Sequence, residues 1–565
     1  MIMISNNLVK IMNNFSEQNL KELLGDLNDS LIEWTVNGES MTKKNKIEII
    51  IGVYGLSLFE SDEFRFNFIM ATEDKELLDK LSVLLSINST DIHDRQVTIA
   101  TKIKQMQFRD CSLYRYIIQD YLGYANFIFP NKKLEESVDS IGKPDKPFLE
   151  LFDYQYMIKQ QVFNDISNSQ KDLYKILVHM PTGTGKTKTT MHIISQYLNF
   201  ITRGKGVIVW IAHSNELLLQ ACDTFKKVWR HLACFNIDIY KGWIKYPSVI
   251  NDGILFTSIQ ALQQKMNKPI FKEICDKASL IIFDEVHKSF ATKTKQCIDS
   301  LMKKANNYGK KFIGLTATPG RTTEFSSENQ RFSLDFDKIV SVDVDRINNI
   351  SLTPTEVRNY QGSKEPIKYF QENRYLAKIE KQSIDFTPSV DIVEMIKKEL
   401  KNSDENYSNE LIEKVASNKT RNIKIVEKLK ELNDANIPTI VFACSVQHAK
   451  MLSAFLKLVN IPNSLVYGDM TDYEREKAIY DFKNNKVNII INYEILTTGF
   501  DSTNIRCVFI TRPTKSVILY SQMIGRGLRG PRMGGNEKCM LLDVKENLYA
   551  FDENKAFVHF EKYWK

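Results

Sequence analysis

The chain has 565 residues, which is too long for one compact core, so three or four domains are expected. A hydrophobic fraction of 43% and a net charge of +7 are ordinary values, and the charge suits a phosphate-bearing partner without identifying one. None of the eight cysteines has C-x-x-C spacing, which argues against a zinc site or a redox centre. No stretch is apolar enough for a signal peptide or a membrane span, so we expect a cytoplasmic protein without membrane contact.

The first 145 residues show mainly helical periodicity. Five leucines recur at the spacing of one helix face, a pattern that core packing usually explains: Leu20, Leu23, Leu24, Leu27 and Leu31. We expect a helical accessory domain that has no catalytic group and is available to a protein partner. The sequence IGKPDKP at 141–147 then interrupts the periodicity and indicates a linker.

From residue 150, short β-branched runs alternate with helical stretches, which is typical of parallel sheets with helices on both faces. The first group of predicted strands lies at 176–180, 207–212, 254–258, 280–284 and 312–317. The second group lies at 439–444, 464–467, 488–492, 507–511 and 539–543. The chain is therefore predicted to contain two α/β units, separated by a charged and helix-patterned stretch.

A phosphate-binding loop, PTGTGKT, occupies 181–187 between a predicted strand and a predicted helix. Its glycines allow successive N–H groups to face phosphate oxygens, Lys186 supplies a charge for the β- and γ-phosphates, and the Thr187 hydroxyl suits Mg²⁺. Met180 stands where the strict pattern has its first glycine. By itself the loop predicts a nucleoside triphosphate, contacted by Thr182, Gly183, Thr184, Gly185, Lys186 and Thr187.

The sequence LIIFDEVH at 280–287 places two carboxylates at the carboxyl end of a buried strand, the edge where α/β sheets bind ligands. Asp284 is suited to holding Mg²⁺, mostly through water, and Glu285 to orienting and deprotonating the water that attacks the γ-phosphate. His287 is a candidate for connecting the state of the nucleotide to the neighbouring unit. The alternative for His287 is an ordinary surface histidine.

The sequence QMIGRGLRG at 522–530 spaces Arg526 and Arg529 three residues apart, which predicts that they share one side of a helix. Guanidinium groups suit the charge that develops on a phosphoryl group in transfer. If they reach the triphosphate only when the two units close, closure gates hydrolysis. The alternative is a structural arginine pair bound to acidic side chains.

These elements, in this order and over roughly residues 150–550, resemble the superfamily 2 helicases. The resemblance implies two tandem RecA-like lobes that bind ATP and Mg²⁺ between them. LFDYQ, which contains Tyr154 and Gln155, is similar to the element whose glutamine reads the adenine edge, although Phe152 stands where the family often has an arginine. The domains implied are a helical accessory domain, the ATP-binding lobe, a linker with a helical insertion, and the second lobe with a C-terminal aromatic helix, at 1–145, 146–345, 346–435 and 436–565.

Further stretches match the family elements that contact nucleic acid or couple hydrolysis to movement: 212–221, 257–262, 316–321, 441–449 and 497–501. The resemblance implies nucleic-acid contacts from His213, Thr257, Ser258 and Thr497. It implies coupling roles for His287, Thr316, Thr318 and Gln522. It also implies nucleotide contacts from Gly499 and Asp501 in the second lobe.

DEVH, TATP and Q-x-x-G-R-x-x-R are unlike the DEAD-box RNA helicases. They resemble the DNA-directed branch that contains the transcription-repair helicase and the motor subunits of type I and type III restriction enzymes. We therefore expect an ATP-driven helicase or translocase on single-stranded or duplex DNA, in repair, recombination or defence against foreign DNA. The alternatives are an ATP-gated clamp or sensor subunit that does not unwind, and an RNA helicase.

Overall fold

The computed structural model describes residues 5–34, 41–125, 127, 138–141, 150–169, 171–286, 292–303, 309–317, 335–342, 366–384, 386, 388–400, 406–497, 500 and 502–544. Four predicted site residues lie outside this part of the chain: His287, Thr318, Gly499 and Asp501. The predicted C-terminal aromatic helix at 556–565 and most of the predicted linker at 141–147 lie outside it as well.

Helices form most of the described N-terminal region, and most of them begin at a residue whose side chain accepts a first-turn N–H. These N-cap residues are Ser5, Ser16, Thr42, Ser61, Asp74 and Asp91. The helices are α1 (Asn6–Met12), α2 (Glu17–Leu24), α3 (Asp26–Trp34), α4 (Lys43–Tyr54), α5 (Asp62–Met70), α6 (Lys75–Leu85), α7 (Ile92–Gln105) and α8 (Ser112–Arg115).

The leucine stripe does not follow one helix. Gly25, at a left-handed φ of 53°, ends α2, and α3 begins at the next residue. Leu20 and Leu24 on α2 and Leu27 and Leu31 on α3 are all buried, so the stripe is core packing as predicted.

The first lobe is built on an eight-stranded sheet in the order β1-β4-β5-β3-β6-β7-β2-β8. All its strand pairs are parallel except β1 with β4. The strands are β1 (Val138–Ile141), β2 (Leu173–His179), β3 (Val207–Ala212), β4 (Ile237–Lys241), β5 (Gly253–Ser258), β6 (Ala278–Asp284), β7 (Lys310–Thr316) and β8 (Lys338–Ser341). Its helices are α9 (Asp153–Asn168), α10 (Lys186–Tyr197), α11 (Asn215–Leu232), α12 (Ile259–Lys265), α13 (Pro269–Lys277) and α14 (Thr292–Met302).

The second lobe is built on a six-stranded parallel sheet in the order β11-β12-β10-β13-β14-β9. Its strands are β9 (Lys378–Ser383), β10 (Thr439–Phe442), β11 (Asn463–Val466), β12 (Ile489–Asn492), β13 (Cys507–Ile510) and β14 (Lys538–Asp543). Its helices are α15 (Pro366–Glu372), α16 (Val390–Glu399), α17 (Asn409–Ala416), α18 (Lys419–Asp434), α19 (Val446–Leu458), α20 (Asp472–Lys483) and α21 (Val517–Ile524). The predicted fold class, two parallel α/β lobes after a helical region, is confirmed.

Four of the described strands are missing from the predicted groups: β4 and β8 of the first lobe, and β1 and β9, which come from regions not assigned to either lobe. β1, from the end of the region assigned to the accessory domain, pairs with β4 at the edge of the first sheet. β9, from the region assigned to the linker and helical insertion, pairs with β14 at the edge of the second sheet. The domain boundaries themselves stay a prediction.

The N-terminal helices share one hydrophobic core with the second lobe. Leu20, Ile50 and Phe59 belong to the same buried cluster as Leu452 and Phe455 of α19. Separating the two parts would expose such side chains at about 1.5–3 kcal/mol each. The N-terminal region is therefore packed as part of the second lobe.

Polar contacts support the same attachment. The Glu474 carboxylate on α20 accepts a hydrogen bond from the Leu56 N–H at 2.6 Å, and the Phe127 and Tyr473 rings meet edge-on with centroids 5.4 Å apart. Burial raises the pKa of the Glu474 carboxyl above its usual range. Within the described residues, no helix has the length and apolar character needed to cross a membrane.

Candidate nucleotide and nucleic-acid site

The phosphate-binding loop connects β2 to α10 as predicted. Gly183 and Gly185 have left-handed φ angles of 84° and 83°, which a residue with a Cβ adopts only with strain. Gly185 is the N-cap of α10, so no side chain caps the first-turn N–H groups of this helix. A helix N-terminus of this kind is suited to binding an anion, and the loop fits a triphosphate.

Lys186 begins α10, and its ammonium donates to the Met180 carbonyl oxygen at 3.2 Å. The pKa of the Lys186 ammonium is lowered from its usual value, mainly because the group is buried. The nearby Glu285 and Asp284 carboxylates act in the opposite direction, and Arg526 of the second lobe lowers the pKa further. Lys186 therefore lies within electrostatic range of two carboxylates and one arginine from the opposite lobe.

Met180, which replaces the first glycine of the strict pattern, does not disturb the loop. Its side chain is fully buried in the core, and its backbone N–H donates to the Thr316 carbonyl oxygen at 3.1 Å. Thr316, a predicted coupling residue, is itself fully buried at the end of β7. The residue that precedes the phosphate loop is therefore hydrogen-bonded directly to the first residue of the TATP element.

Asp284 is the last residue of β6 and is 5% exposed. Its carboxylate accepts a hydrogen bond from the Glu285 N–H at 3.0 Å. Glu285 has a left-handed φ of 53°, a conformation that costs a non-glycine residue about 1–2 kcal/mol. Backbone strain of this kind often marks functional positions, because the surrounding fold must hold the side chain in place against it.

The two predicted arginines do not share a helix face, and that prediction is wrong. α21 ends at Ile524, and Arg526 and Arg529 follow in a turn that contains Gly525, Gly527 and Gly530. Glycine lowers the stability of a helix interior, which explains the early end. Arg526 donates to the carbonyl oxygens of Phe500 and Gln522, and Gln522 is itself nearly fully buried on α21.

The same turn packs directly on the phosphate loop of the other lobe. A methyl group built on Gly183 would lie 4.0 Å from Arg529 Cγ, and one built on Gly525 would lie 2.7 Å from Thr182 Cβ. The structure thus brings Arg526 and Arg529 to the loop that contains Lys186. Their roles in hydrolysis stay predictions.

Tyr154 and Gln155 brace the phosphate loop. The Tyr154 hydroxyl and the Gln155 amide nitrogen both donate to the Thr184 carbonyl oxygen at 2.8 Å. The Gln155 carbonyl oxygen accepts a hydrogen bond from the Phe152 N–H at 3.1 Å, and the side chain is 0% exposed. Reading the adenine edge, the role that the family resemblance implies for Gln155, stays a prediction.

The predicted nucleic-acid residues lie at or after the carboxyl ends of strands, and two of them, Thr257 and Thr497, are buried while His213 and Ser258 are partly exposed. Thr257 is fully buried, Thr497 is buried in a short 3-10 turn, and the Ser258 hydroxyl caps α12 by accepting from the Ala261 N–H. The His213 ring packs against Phe283 with centroids 5.3 Å apart. Contact of these residues with a strand stays a prediction.

An ion pair that the sequence did not reveal joins the two lobes near this edge. Arg475 on α20 lies 3.3 Å from the Glu216 carboxylate, in the first turn of α11. Arg475 also donates to the Gly468 and Met470 carbonyl oxygens. The two residues are 259 positions apart, so no local pattern predicts their contact.

Two protein families match the chain where the lobes lie. Residues 148–321 match the family described as "Type III restriction enzyme, res subunit", and residues 422–530 match "Helicase conserved C-terminal domain". The chain is a DExH-like member of helicase superfamily 2. The two matched ranges contain the phosphate loop, the Asp284–Glu285 pair and the arginine turn of this superfamily 2 chain.

Individual relatives agree with this assignment. The chain is 30% identical over 387 residues to a protein named as an ATP-dependent helicase, IRC3 of Saccharomyces cerevisiae, with 67% of this chain and 49% of the relative covered. It is 25% identical to the type I restriction enzyme EcoAI endonuclease subunit of Escherichia coli, with 71% and 47% covered. It is 32% identical to the ATP-dependent RNA helicase vasa of Drosophila melanogaster, with 20% and 17% covered. The chain spans about half the length of the first two of these relatives.

Proposed function

We propose that the chain is a nucleic-acid-stimulated ATPase that uses hydrolysis to move along DNA, on one strand or on duplex. The observation that carries the proposal is the packing of the arginine turn on the phosphate loop of the other lobe, where a methyl group built on Gly183 would lie 4.0 Å from Arg529 Cγ and one built on Gly525 would lie 2.7 Å from Thr182 Cβ. A triphosphate bound at the loop would therefore be contacted from both lobes.

Each group around the phosphate loop has a proposed role in ATP hydrolysis. The N–H groups of the phosphate loop and the Lys186 ammonium bind the β- and γ-phosphates, while Glu285 orients the attacking water and accepts its proton. Thr187, at the start of α10, and Asp284 supply the oxygen ligands that Mg²⁺ prefers, so this end of the loop fits a bound magnesium ion. When bound, Mg²⁺ offsets negative charge on the phosphate oxygens.

Closure of the lobes would gate the reaction. Arg526 and Arg529 belong to the second lobe and reach the phosphate loop only while the Gly525 turn packs on Thr182. Opening the cleft withdraws both guanidinium groups from the γ-phosphate, so hydrolysis and the relative position of the lobes are linked. His213, Thr257, Ser258 and Thr497 are the proposed strand contacts on the two lobes, and the burial of Thr257 and Thr497 implies that some rearrangement accompanies binding.

DNA is the proposed substrate because the match to the restriction-enzyme subunit extends over 71% of this chain, against 20% for the RNA helicase vasa. We also propose that the N-terminal helices, packed on the second lobe, provide a surface for a protein partner, and that the protein acts in the cytoplasm in repair, recombination or defence against foreign DNA. The restriction-family match to residues 148–321 is consistent with the last of these roles.

The test is steady-state ATP hydrolysis without nucleic acid and with single-stranded DNA, duplex DNA or RNA, followed by strand displacement on a tailed duplex. We expect DNA to raise turnover more than RNA does. Lys186→Ala serves as the control for contaminating ATPase. Stronger stimulation by RNA would overturn the substrate, and DNA-stimulated turnover without displacement would favour a translocase or an ATP-gated clamp over an unwinding enzyme.

A further inference from the structure

The two ends of the phosphate loop differ in chemistry, and this difference orients a bound nucleotide. Near Lys186 lie Asp284, Glu285 and Arg526, which suit the γ-phosphate end. At the other side of the loop, a methyl group built on Gly185 would overlap the Gln155 amide nitrogen and lie 3.7 Å from Met533 Cε. If ATP is bound as proposed above, its base therefore extends towards Met533 of the second lobe.

Among the described residues of the first lobe at this end, the Gln155 amide is already engaged in hydrogen bonds. The Gln155 side chain is fully buried, with its oxygen bound to the Phe152 N–H and its nitrogen to the Thr184 carbonyl oxygen. The Phe152 ring is half-buried, and the Lys188 ammonium lies 5.1 Å from its centroid. The first lobe therefore offers the base an aromatic surface, and polar contacts with the base would come from the second lobe.

The second lobe presents such groups on a feature that we name the base lip, residues 374–376 and 529–533. Arg532 on the lip is exposed, and its guanidinium donates to the Tyr375 hydroxyl at 2.8 Å. The guanidinium carbon lies 5.1 Å from the centroid of the Tyr375 ring. The Tyr375 ring in turn meets Phe152 edge-on, with centroids 4.9 Å apart. A guanidinium and two aromatic rings therefore line the place to which the base extends.

The base lip is a single rigid unit of the second lobe. The Gly530 N–H donates to the Tyr375 carbonyl oxygen at 2.9 Å, and the Arg532 N–H donates to the Arg374 carbonyl oxygen at 3.0 Å. A methyl group built on Gly530 would lie 2.7 Å from the Tyr375 carbonyl carbon, so only glycine allows this approach. Because Arg529 lies on the same unit, the groups facing the base and the groups facing the phosphates move together.

We propose that Arg532 and Tyr375 form a base-recognition element that the second lobe supplies, and that a purine base binds between the base lip and Phe152. A planar guanidinium stacks on an aromatic face and donates to ring nitrogens and carbonyl oxygens at the base edge. A purine offers a larger stacking surface than a pyrimidine. The base would replace the direct contact between Phe152 and Tyr375, so binding of the base draws the lip onto the first lobe.

Competition binding of two ligands to the full-length chain tests the proposal: ATP, which has a base, and inorganic tripolyphosphate, which has none. Arg532→Ala is expected to weaken ATP binding about tenfold, in keeping with a desolvated cation–aromatic contact, and to leave tripolyphosphate binding unchanged. Tyr375→Phe keeps the ring but loses the hydroxyl that holds Arg532, and should weaken ATP binding by a smaller factor. The preference for ATP over CTP should fall in both variants.

Arg230→Ala is the matched control, because Arg230 is an exposed arginine in the last turn of α11 in the first lobe and is not part of the base lip. It should bind both ligands like the wild-type chain. Equal weakening of ATP and tripolyphosphate in Arg532→Ala would overturn the proposal, since the lip would then act on the phosphates or on folding. ATP binding unchanged by both lip variants would overturn it as well. A wild-type chain that binds neither ligand would refute the nucleotide site itself, and the base lip with it.

Discussion

Substituting Gly525 by alanine tests whether closure of the lobes controls hydrolysis. Gly525 has φ −55°, an ordinary helical value, so alanine introduces no backbone strain within the second lobe. The new methyl group would lie 2.7 Å from Thr182 Cβ, and closer still to Thr182 Cγ2. Carbon atoms prefer a separation of about 3.5–4.0 Å, so the turn must move away from the phosphate loop by about 1 Å.

A displacement of this size would move Arg526 and Arg529 away from the proposed position of the γ-phosphate. Misplacing catalytic groups by about 1 Å can cost on the order of 100-fold in rate, so kcat of Gly525→Ala should fall by about one to two orders of magnitude. The midpoint of thermal unfolding should change little, because the overlap is relieved by separating the lobes and not by unpacking either core.

Steady-state ATP hydrolysis with saturating single-stranded DNA, together with a thermal melt, measures both effects. Gly468→Ala is the matched control, since Gly468 is also in the second lobe and an added methyl group there meets nothing within 4 Å. A Gly525→Ala enzyme with wild-type kcat would refute the reasoning, because hydrolysis would then tolerate an open cleft. A large loss of thermal stability would show instead that the substitution damages the fold.

Other substitutions separate the roles of individual groups. Lys186→Ala should abolish ATP turnover. Glu285→Gln should also abolish turnover but should still bind ATP, as measured by equilibrium titration. Normal turnover in Glu285→Gln would mean that another group activates the water. Arg529→Ala should lower kcat at least tenfold with a small change in nucleotide affinity, and a change confined to affinity would exclude a role in the chemical step. Arg475→Glu should lower DNA-stimulated turnover by about two- to fivefold. The double variant Arg475→Glu with Glu216→Arg, which exchanges the two charges, should restore most of the turnover. A double variant as slow as the single one would show that the ion pair does not align the lobes.

The sequence predicts most of the described strands and misses β1, β4, β8 and β9. The others are recognisable because parallel strands buried on both faces consist of unbroken β-branched and apolar runs. The strands β3 and β6, for example, are buried at every position. β9 is exposed along nearly its whole length, so its residues carry no apolar pattern that would mark a strand. Edge strands such as β1 and β9 form because they pair with strands that are distant in sequence. A short stretch of sequence carries no signal of such pairing.

The candidate site is predictable where it depends on local geometry. The phosphate loop and the Asp284–Glu285 pair follow from the order strand, loop and helix. The position of Arg526 and Arg529 in a turn was also visible in principle, since three glycines within six residues argue against a continuing helix. The base lip and the Arg475–Glu216 pair were not predictable, because each joins two segments that are distant in sequence, within the second lobe for the base lip and across the two lobes for the ion pair.

The N-terminal helices share a core with the second lobe, yet β1, which follows them, belongs to the first sheet. The chain therefore crosses the cleft twice, once between Phe127 and Val138 and again between Val342 and Pro366. The first crossing has only eleven peptide units, about 40 Å at full extension. If the lobes move relative to each other as proposed, two covalent connections limit how far they can separate, and the shorter connection sets the tighter limit.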